Sequence, residues 1–172
     1  MIETYKKGKD LSIMIWASIW LGNRSDAVPM VRDEASPRGG YSANSYLEIL
    51  DDQLPQIYEP GMTFMQDNAS IHTAKRVKAW FEEHGVAVID WPPYSPDMNP
   101  IEHAWHLLKS WLQINYPELK EMGKGQADQL AWKQAIIEGW ASIDQQVLDN
   151  LLGSMQKRCQ ALVDAKGWHT KY

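Results

Sequence analysis

The chain has 172 residues, with 17 lysines and arginines against 22 aspartates and glutamates, giving a formal net charge of −5. Hydrophobic residues make up 44% and charged residues 23%, close to globular averages. That excludes disordered, collagen-like and coiled-coil classes and suits one domain with a sizeable core. A single cysteine, Cys159, excludes an internal disulfide framework and a multi-cysteine zinc site, and the acidic balance argues against gripping nucleic acid by bulk charge.

Lys6, Lys7 and Lys9 precede the apolar run Leu11–Gly22 and imitate a secretory leader, with Ser25-Asp26-Ala27 where a cleavage site would fall. Glu3 and Asp10 flank the run, however, and residues 23–26 are polar. The run is also shorter than the ~20 apolar residues of a membrane span, so no membrane partner is expected. Residues 11–20 (LSIMIWASIW) mix β-branched and aromatic side chains and read as a buried strand. A turn at residues 22–25 and a short strand, Ala27–Val31, make residues 11–31 a β-hairpin. From Ser42, the spacing of Tyr46, Leu47, Leu50 and Leu54 is helical, and Pro55 is expected to end the helix.

Residues 62–91 read as a parallel strand–helix–strand unit. Met62–Asp67 is the first strand, residues 73–84 are the helix, Gly85 is its C′ stop and residues 86–91 (VAVIDW) are the second strand. Residues 100–172 are helical. One helix runs from Pro100 to Asn115, and Gly123-Lys124-Gly125 is a break. Ala131, Trp132, Ala135, Ile136 and Trp140 mark the next helix. Ser142 with Gln145 suggests a capping box for a last helix. That helix would present Val147, Leu148, Leu151, Leu152, Met155, Cys159 and Leu162 before Gly167, leaving Cys159 as inert core. The fold class is α/β, an antiparallel hairpin beside a parallel βαβ unit with C-terminal helices.

Two carboxylates stand out. Asp67 closes an apolar strand, where α/β folds bind ligands, but Asn68, Ser70 and Thr73 also suit a plain turn. Glu102 is N3 of the helix that Asn99 would cap, with Pro100 at N1, so a capping box explains it equally well. Together they say more, because 34 residues lie between them, enough for a helix, a strand and a proline-rich loop that return the chain to the same sheet edge. Hard oxygen ligands in a cleft are what Mg²⁺ or Mn²⁺ requires. Two such ions ~3.5–4 Å apart support in-line phosphodiester displacement.

The segments FMQDNASIHTAK, WPPYSPDMNPIEHAWHLLK and SMQKRCQALVDAKGWHTKY resemble the catalytic domain of mariner-superfamily DDE transposases, from about residue 8 to Tyr172. The resemblance implies an RNase H-like fold and an Asp-Asp-Glu metal triad whose second Asp and Glu are Asp67 and Glu102. It also implies a two-metal site of Mg²⁺ or Mn²⁺, transposon-end and target DNA as partners, pairing with itself or a full-length transposase, and nuclear localisation. The family's first Asp lies on a strand upstream of residues 11–20. Residues 1–10 (MIETYKKGKD) show no strand pattern and no room for that strand, so the first central strand reads as missing. Asp10, Asp33 and Glu34 are the nearby acidic stand-ins, none at the family position. The chain therefore reads as an N-terminally shortened transposase, either a strand-transferase domain or an inactive remnant that binds DNA or protein.

Lesser candidates lie around this pair. His72 suits a phosphate contact or a supporting role, and Lys75, Arg76 and Lys78 on the following helix suit DNA backbone contacts. His106 and Lys109 fall on later turns of the Glu102 helix and suit the same task. His103 and His106 lack the spacing of a zinc protease motif. Trp80, Trp105 and Trp132 sit at core-facing positions, which favours packing over base stacking.

Overall fold

The computed structural model describes residues 2–3, 12–37, 39–93, 95–123, 125–166, 168 and 170. The chain divides into two compact units, one of residues 1–29 with 95–172 and one of residues 30–94.

In the first unit, six two-residue strands form three antiparallel ladders. They are β1 (Ile2–Glu3), β2 (Ser12–Ile13), β3 (Ile15–Trp16), β4 (Ile19–Trp20), β5 (Asn23–Arg24) and β6 (Val28–Pro29). β1 pairs with β2, β3 with β6 and β4 with β5. The hairpin expected over residues 11–31 is present but broken. Ile19 faces Arg24 while Trp16 faces Val28, so Ala17 and Ser18 oppose three residues, Ser25, Asp26 and Ala27. One extra residue is a β-bulge, which interrupts the ladder and twists it. At the bulge the Ser18 N–H donates to Ser25 Oγ (2.8 Å), while Ser25 N–H still reaches Ser18 O (2.9 Å). The strand β1 corrects the expectation that residues 1–10 hold none. Ile2 pairs with Ile13 and Glu3 with Ser12, and the intervening residues 4–11, which include Asp10, lie outside the described residues.

The helices of this unit are α3 (Pro100–Asn115), α4 (Gln126–Ala141), α5 (Gln145–Gly153) and α6 (Met155–Asp164); α1 (Ala43–Ile57) and α2 (Lys75–Glu83) belong to the other. Ala104, Leu108 and Leu112 of α3 are buried with Trp132, Ala135, Ile136 and Trp140 of α4, Leu148 of α5, and Ile13 and Ala27 of the hairpin. The apolar face of α3 thus packs mainly on helices rather than lying flat on a sheet. The hairpin is pinned to the α4–α5 corner by polar contacts. Arg24 Nη2 donates to Ala141 O (2.9 Å) and its Nη1 to Ile143 O, a cation on helix-end carbonyls. Trp140 Nε1 donates to Ser25 O (2.8 Å), and Gly22 N–H donates to Asp149 Oδ1 (2.9 Å).

Two C-terminal expectations are corrected. The N-cap of α5 is Asp144, whose Oδ1 accepts from Gln146 N–H (2.9 Å), while Ser142 ends α4. An aspartate one residue before the helix outcompetes the serine two residues further back. The last helix also breaks at Ser154, whose hydroxyl donates to Leu151 O (2.6 Å). The break resets the helical phase, so Arg158 is buried at 2% exposure and Cys159 is exposed, the reverse of the expected core position.

In the second unit, α1 is capped by Ser42, which accepts from Asn44 N–H (3.0 Å). Pro55 does not end α1; it lies in the last turn, and Tyr58 N–H still reaches Leu54 O (2.9 Å). Tyr46, Ile49, Leu50 and Leu54 of α1 are buried, as are Val77, Trp80 and Phe81 of α2, and α1 packs on α2. Trp80 Nε1 satisfies itself on Asp51 Oδ1 (2.6 Å). The helix α2 begins at Lys75 rather than Thr73, and Gly85 leaves it with φ +64°, the left-handed stop expected.

The parallel pair flanking α2 is shorter than expected, a single bridge between Phe64 and Val88. Phe64 N–H donates to Ala87 O (2.7 Å) and Ile89 N–H to Phe64 O (3.0 Å). Beyond it, Val86 N–H bonds to Phe81 O (2.9 Å) and Ala87 N–H to the Tyr58 hydroxyl (3.0 Å). These donors are satisfied by a helix end and a side chain, which stops the ladder.

Candidate active site

Asp67 lies three residues past the bridge, where the chain leaves the strand direction. Its Oδ1 accepts from Ala69 N–H (3.0 Å), an Asx turn, and also meets His72 Nδ1 at 2.6 Å. An ionised carboxylate only accepts, so the histidine proton sits on Nδ1. Both bonds fall on one oxygen. Among the described residues Oδ2 takes no hydrogen bond, and the side chain is 51% exposed. The His72 hydrogen bond holds the Asp67 carboxyl below its ordinary pKa, with help from Ala69 N–H, against the opposing effect of desolvation.

His72 is itself held. Its ring packs against Tyr46, centroids 4.4 Å apart. The Tyr46 hydroxyl donates to Gln66 Oε1 (2.6 Å), and Gln66 Nε2 donates to the His72 carbonyl (3.4 Å). Asn68 Nδ2 ties the same loop to Trp91 O (2.7 Å). Sequence reasoning missed Tyr46 and Gln66 as supports. Gln66 stands beside Asp67 in the motif, but no spacing rule links it to a helix residue 20 positions away.

Glu102 occupies the first turn of α3. Asn99 caps the helix, accepting from Ile101 N–H (3.3 Å), as expected. The capping box does not form. Asn99 N–H is already bonded to Pro96 O (2.9 Å) in the preceding 3₁₀ turn, so Glu102 has no cap donor to reach back to. Glu102 is exposed, and its carboxylate makes no hydrogen bond or ion pair among the described residues. The helix N-terminus favours its negative charge by ~0.3–1 kcal/mol. Next to it, His103 Nδ1 accepts a long contact of 3.4 Å from the buried Arg158, whose Nε donates to Ser154 Oγ (2.8 Å). Desolvation first, then the charges of Arg158 and His106, lower the His103 pKa below its ordinary value.

Asp67 belongs to the unit of residues 30–94 and Glu102 to the other. Among the described residues, no three His, Cys, Asp or Glu side chains are gathered closely enough to hold a metal ion. The acidic stand-in Asp33 has a structural task. It accepts from the Ser42 hydroxyl (2.5 Å), Asn44 Nδ2 (3.0 Å) and Ala35 N–H (3.0 Å), which clasps the loop to the start of α1. Glu34 is exposed. Arg76 joins the clasp by donating to Asn44 Oδ1, whereas Lys75 and Lys78 of α2 and His106 and Lys109 of α3 are exposed. No helix among the described residues is long and apolar enough to cross a membrane.

Residues 4–122 match the family model of the DDE superfamily endonucleases. The chain is 39% identical over 113 residues to the transposable element Tc1 transposase of Caenorhabditis elegans, covering 65% of this chain and 38% of that protein. It thus spans less than two fifths of that curated relative. The crystal structure of the Mos1 strand transfer complex matches 99% of this chain and 47% of its own, with TM-score 0.67 and 19% identity. The Mos1 transposase catalytic domain solved with Raltegravir and Mn matches 92% of this chain and 83% of its own, with TM-score 0.56 and 18% identity. These likenesses show the fold, the RNase H-like mixed α/β architecture with C-terminal helices.

Proposed function

The chain belongs to the DDE superfamily endonuclease family, and from that membership we propose that it forms the carboxylate-bearing part of a metal-dependent DNA strand-transferase of the Tc1/mariner kind. The reaction is hydrolysis at transposon ends followed by attack of the freed 3′-hydroxyl on target DNA, and a nuclear site of action goes with it. Both displacements use oxygen nucleophiles, so no covalent enzyme intermediate is needed.

The observation that carries this reading is that each of the two motif carboxylates keeps at least one oxygen unbonded among the described residues. Asp67 keeps Oδ2 bare and Glu102 keeps its whole carboxylate unbonded among the described residues. Bare, solvent-facing carboxylate oxygens are the hard donors that Mg²⁺ or Mn²⁺ prefers, so the residues fit the ion. Asp67 and Glu102 would hold it, and the ion would supply activation of the attacking oxygen and stabilisation of the leaving one. Lys75, Lys78, His106 and Lys109 would meet DNA phosphates from the exposed sides of α2 and α3.

The test is cleavage of DNA carrying candidate terminal repeats in Mn²⁺ or Mg²⁺, beside Asp67→Asn and Glu102→Gln. Metal-dependent cleavage lost in both variants is the expected result. Cleavage that survives either substitution overturns the assignment, and a folded wild-type chain that cuts nothing assigns it a binding role instead.

A further inference from the structure

An aspartate side chain turns about its terminal torsion in a broad, two-fold well, so either oxygen can face a ligand unless something selects one. Here the selection is built in. Two donors, Ala69 N–H at 3.0 Å and His72 Nδ1 at 2.6 Å, both fall on Asp67 Oδ1. The second is short, as charge-assisted bonds are.

His72 has little freedom to let go. Its ring lies against Tyr46, which is 1% exposed, and its carbonyl is held by Gln66, which the Tyr46 hydroxyl holds in turn. The ring is therefore fixed at its edge, its face and its backbone, and that rigidity passes to the carboxylate.

We infer that His72 is the positioning residue for Asp67, occupying Oδ1 so that Oδ2 alone is presented to a divalent cation. The inference rests on the reading of Asp67 as a metal-holding carboxylate. It replaces a DNA phosphate by Asp67 as the partner of His72 Nδ1.

A consequence is selectivity between cations. With two donors already on Oδ1, Asp67 would bind through one oxygen rather than chelate. Monodentate carboxylates suit the small octahedral shell of Mg²⁺ or Mn²⁺, whereas Ca²⁺ accepts bidentate ones in a larger, looser shell. His72 thus tilts the site toward the smaller ions, a role no packing residue would have.

The experiment is calorimetric titration of the full chain with MnCl₂ and with CaCl₂, for wild type, Asp67→Asn, His72→Phe and His72→Asn. His72→Phe keeps a ring against Tyr46 and loses the donor; His72→Asn keeps a donor near the Nδ1 position and loses the ring. Supporting partners of metal ligands are worth about 10–100-fold in affinity. His72→Phe is expected to weaken Mn²⁺ binding about tenfold and to narrow the Mn²⁺-to-Ca²⁺ affinity ratio, with His72→Asn restoring both. In wild type, ¹⁵N NMR is expected to find the His72 proton on Nδ1. If Asp67→Asn loses Mn²⁺ binding while His72→Phe matches wild type in affinity and ratio, the positioning role is overturned and the metal reading stands. If Asp67→Asn binds Mn²⁺ as wild type does, both fall.

Discussion

Asn99 and Glu102 sit three residues apart in one helix start, yet the structure gives them opposite kinds of work. Asn99 is 7% exposed and caps α3, so Asn99→Ala is expected to lower stability by about 1 kcal/mol in urea unfolding. Glu102 is exposed and bonds to nothing among the described residues, so Glu102→Gln is expected to change stability by less than about 0.5 kcal/mol. A large loss of stability on Glu102→Gln would return that residue to the capping role. Asp33 offers a pH test. Its carboxyl is held below the ordinary 3.8, first by the Ser42 hydroxyl and then by the Asn44 amide. A lowered carboxyl pKa stabilises the folded chain above the unfolded value, and that contribution is lost as pH falls through the folded one. Asp33→Asn is therefore expected to lower the urea midpoint at neutral pH. The gap from wild type should close as the pH drops below the ordinary carboxylate range, and a gap that persists in acid would refute the clasp. The Asn99 cap was legible in the sequence, but the Asp33 clasp was not, because the Ser42 and Asn44 partners reach Asp33 across a loop that carries no periodic signal.

At the scale of elements, the close approach of α3 and α4 depends on one glycine. A Cβ on Gly139 would lie 2.6 Å from Leu108 Cδ1 and 2.7 Å from Trp111 Cε3. Leu108 is fully buried and has nowhere to go. Alanine gains up to about 1 kcal/mol in helix propensity over glycine, but overpacking costs about 1–3 kcal/mol, so Gly139→Ala is expected to be destabilising on balance by thermal unfolding. A higher melting temperature would show that the two helices can separate cheaply. The helices themselves were legible: α3 starts at Pro100 behind Asn99 as its residues foretell, and Trp132, Ala135, Ile136 and Trp140 bury the expected face of α4. Where the reading failed, a local competitor won. Asp144 took the cap from Ser142, and the Ser154 break rotated Arg158 inward and Cys159 outward. The hairpin was legible as a hairpin, but its bulge at Ser25–Ala27 was not, since strands this short carry too little alternation for a one-residue shift to show.

Across the whole molecule, the net charge of −5 means that any grip on DNA is local rather than general. Lys75 and Lys78 are exposed on α2, whereas Arg76 is engaged with Asn44. Each phosphate contact contributes about 0.9 to the slope of log affinity against log salt. The double substitution Lys75→Ala/Lys78→Ala is expected to lower that slope by about 2, with Arg76→Ala lowering it less and loosening the start of α1 instead. An unchanged slope in the double variant, measured by fluorescence anisotropy on duplex DNA, would remove these lysines from the interface.

What the sequence determined by itself is the chemistry at fixed places along the chain. The motif around Asp67 and the Asn99-Pro100-Ile101-Glu102 helix start carry the resemblance to DDE transposases, and that resemblance implies an RNase H-like domain. These signals are local, carried by residue type and by short-range periodicity, so they survive without any knowledge of packing. Tertiary structure alone decided which groups are spent and which are left free. Tyr46 reaches Gln66 from a helix 20 positions back, and Arg24 reaches Ala141 across 117 positions. A hydrogen bond between distant residues depends on where the backbone has been carried, and that position is fixed only when the whole core packs.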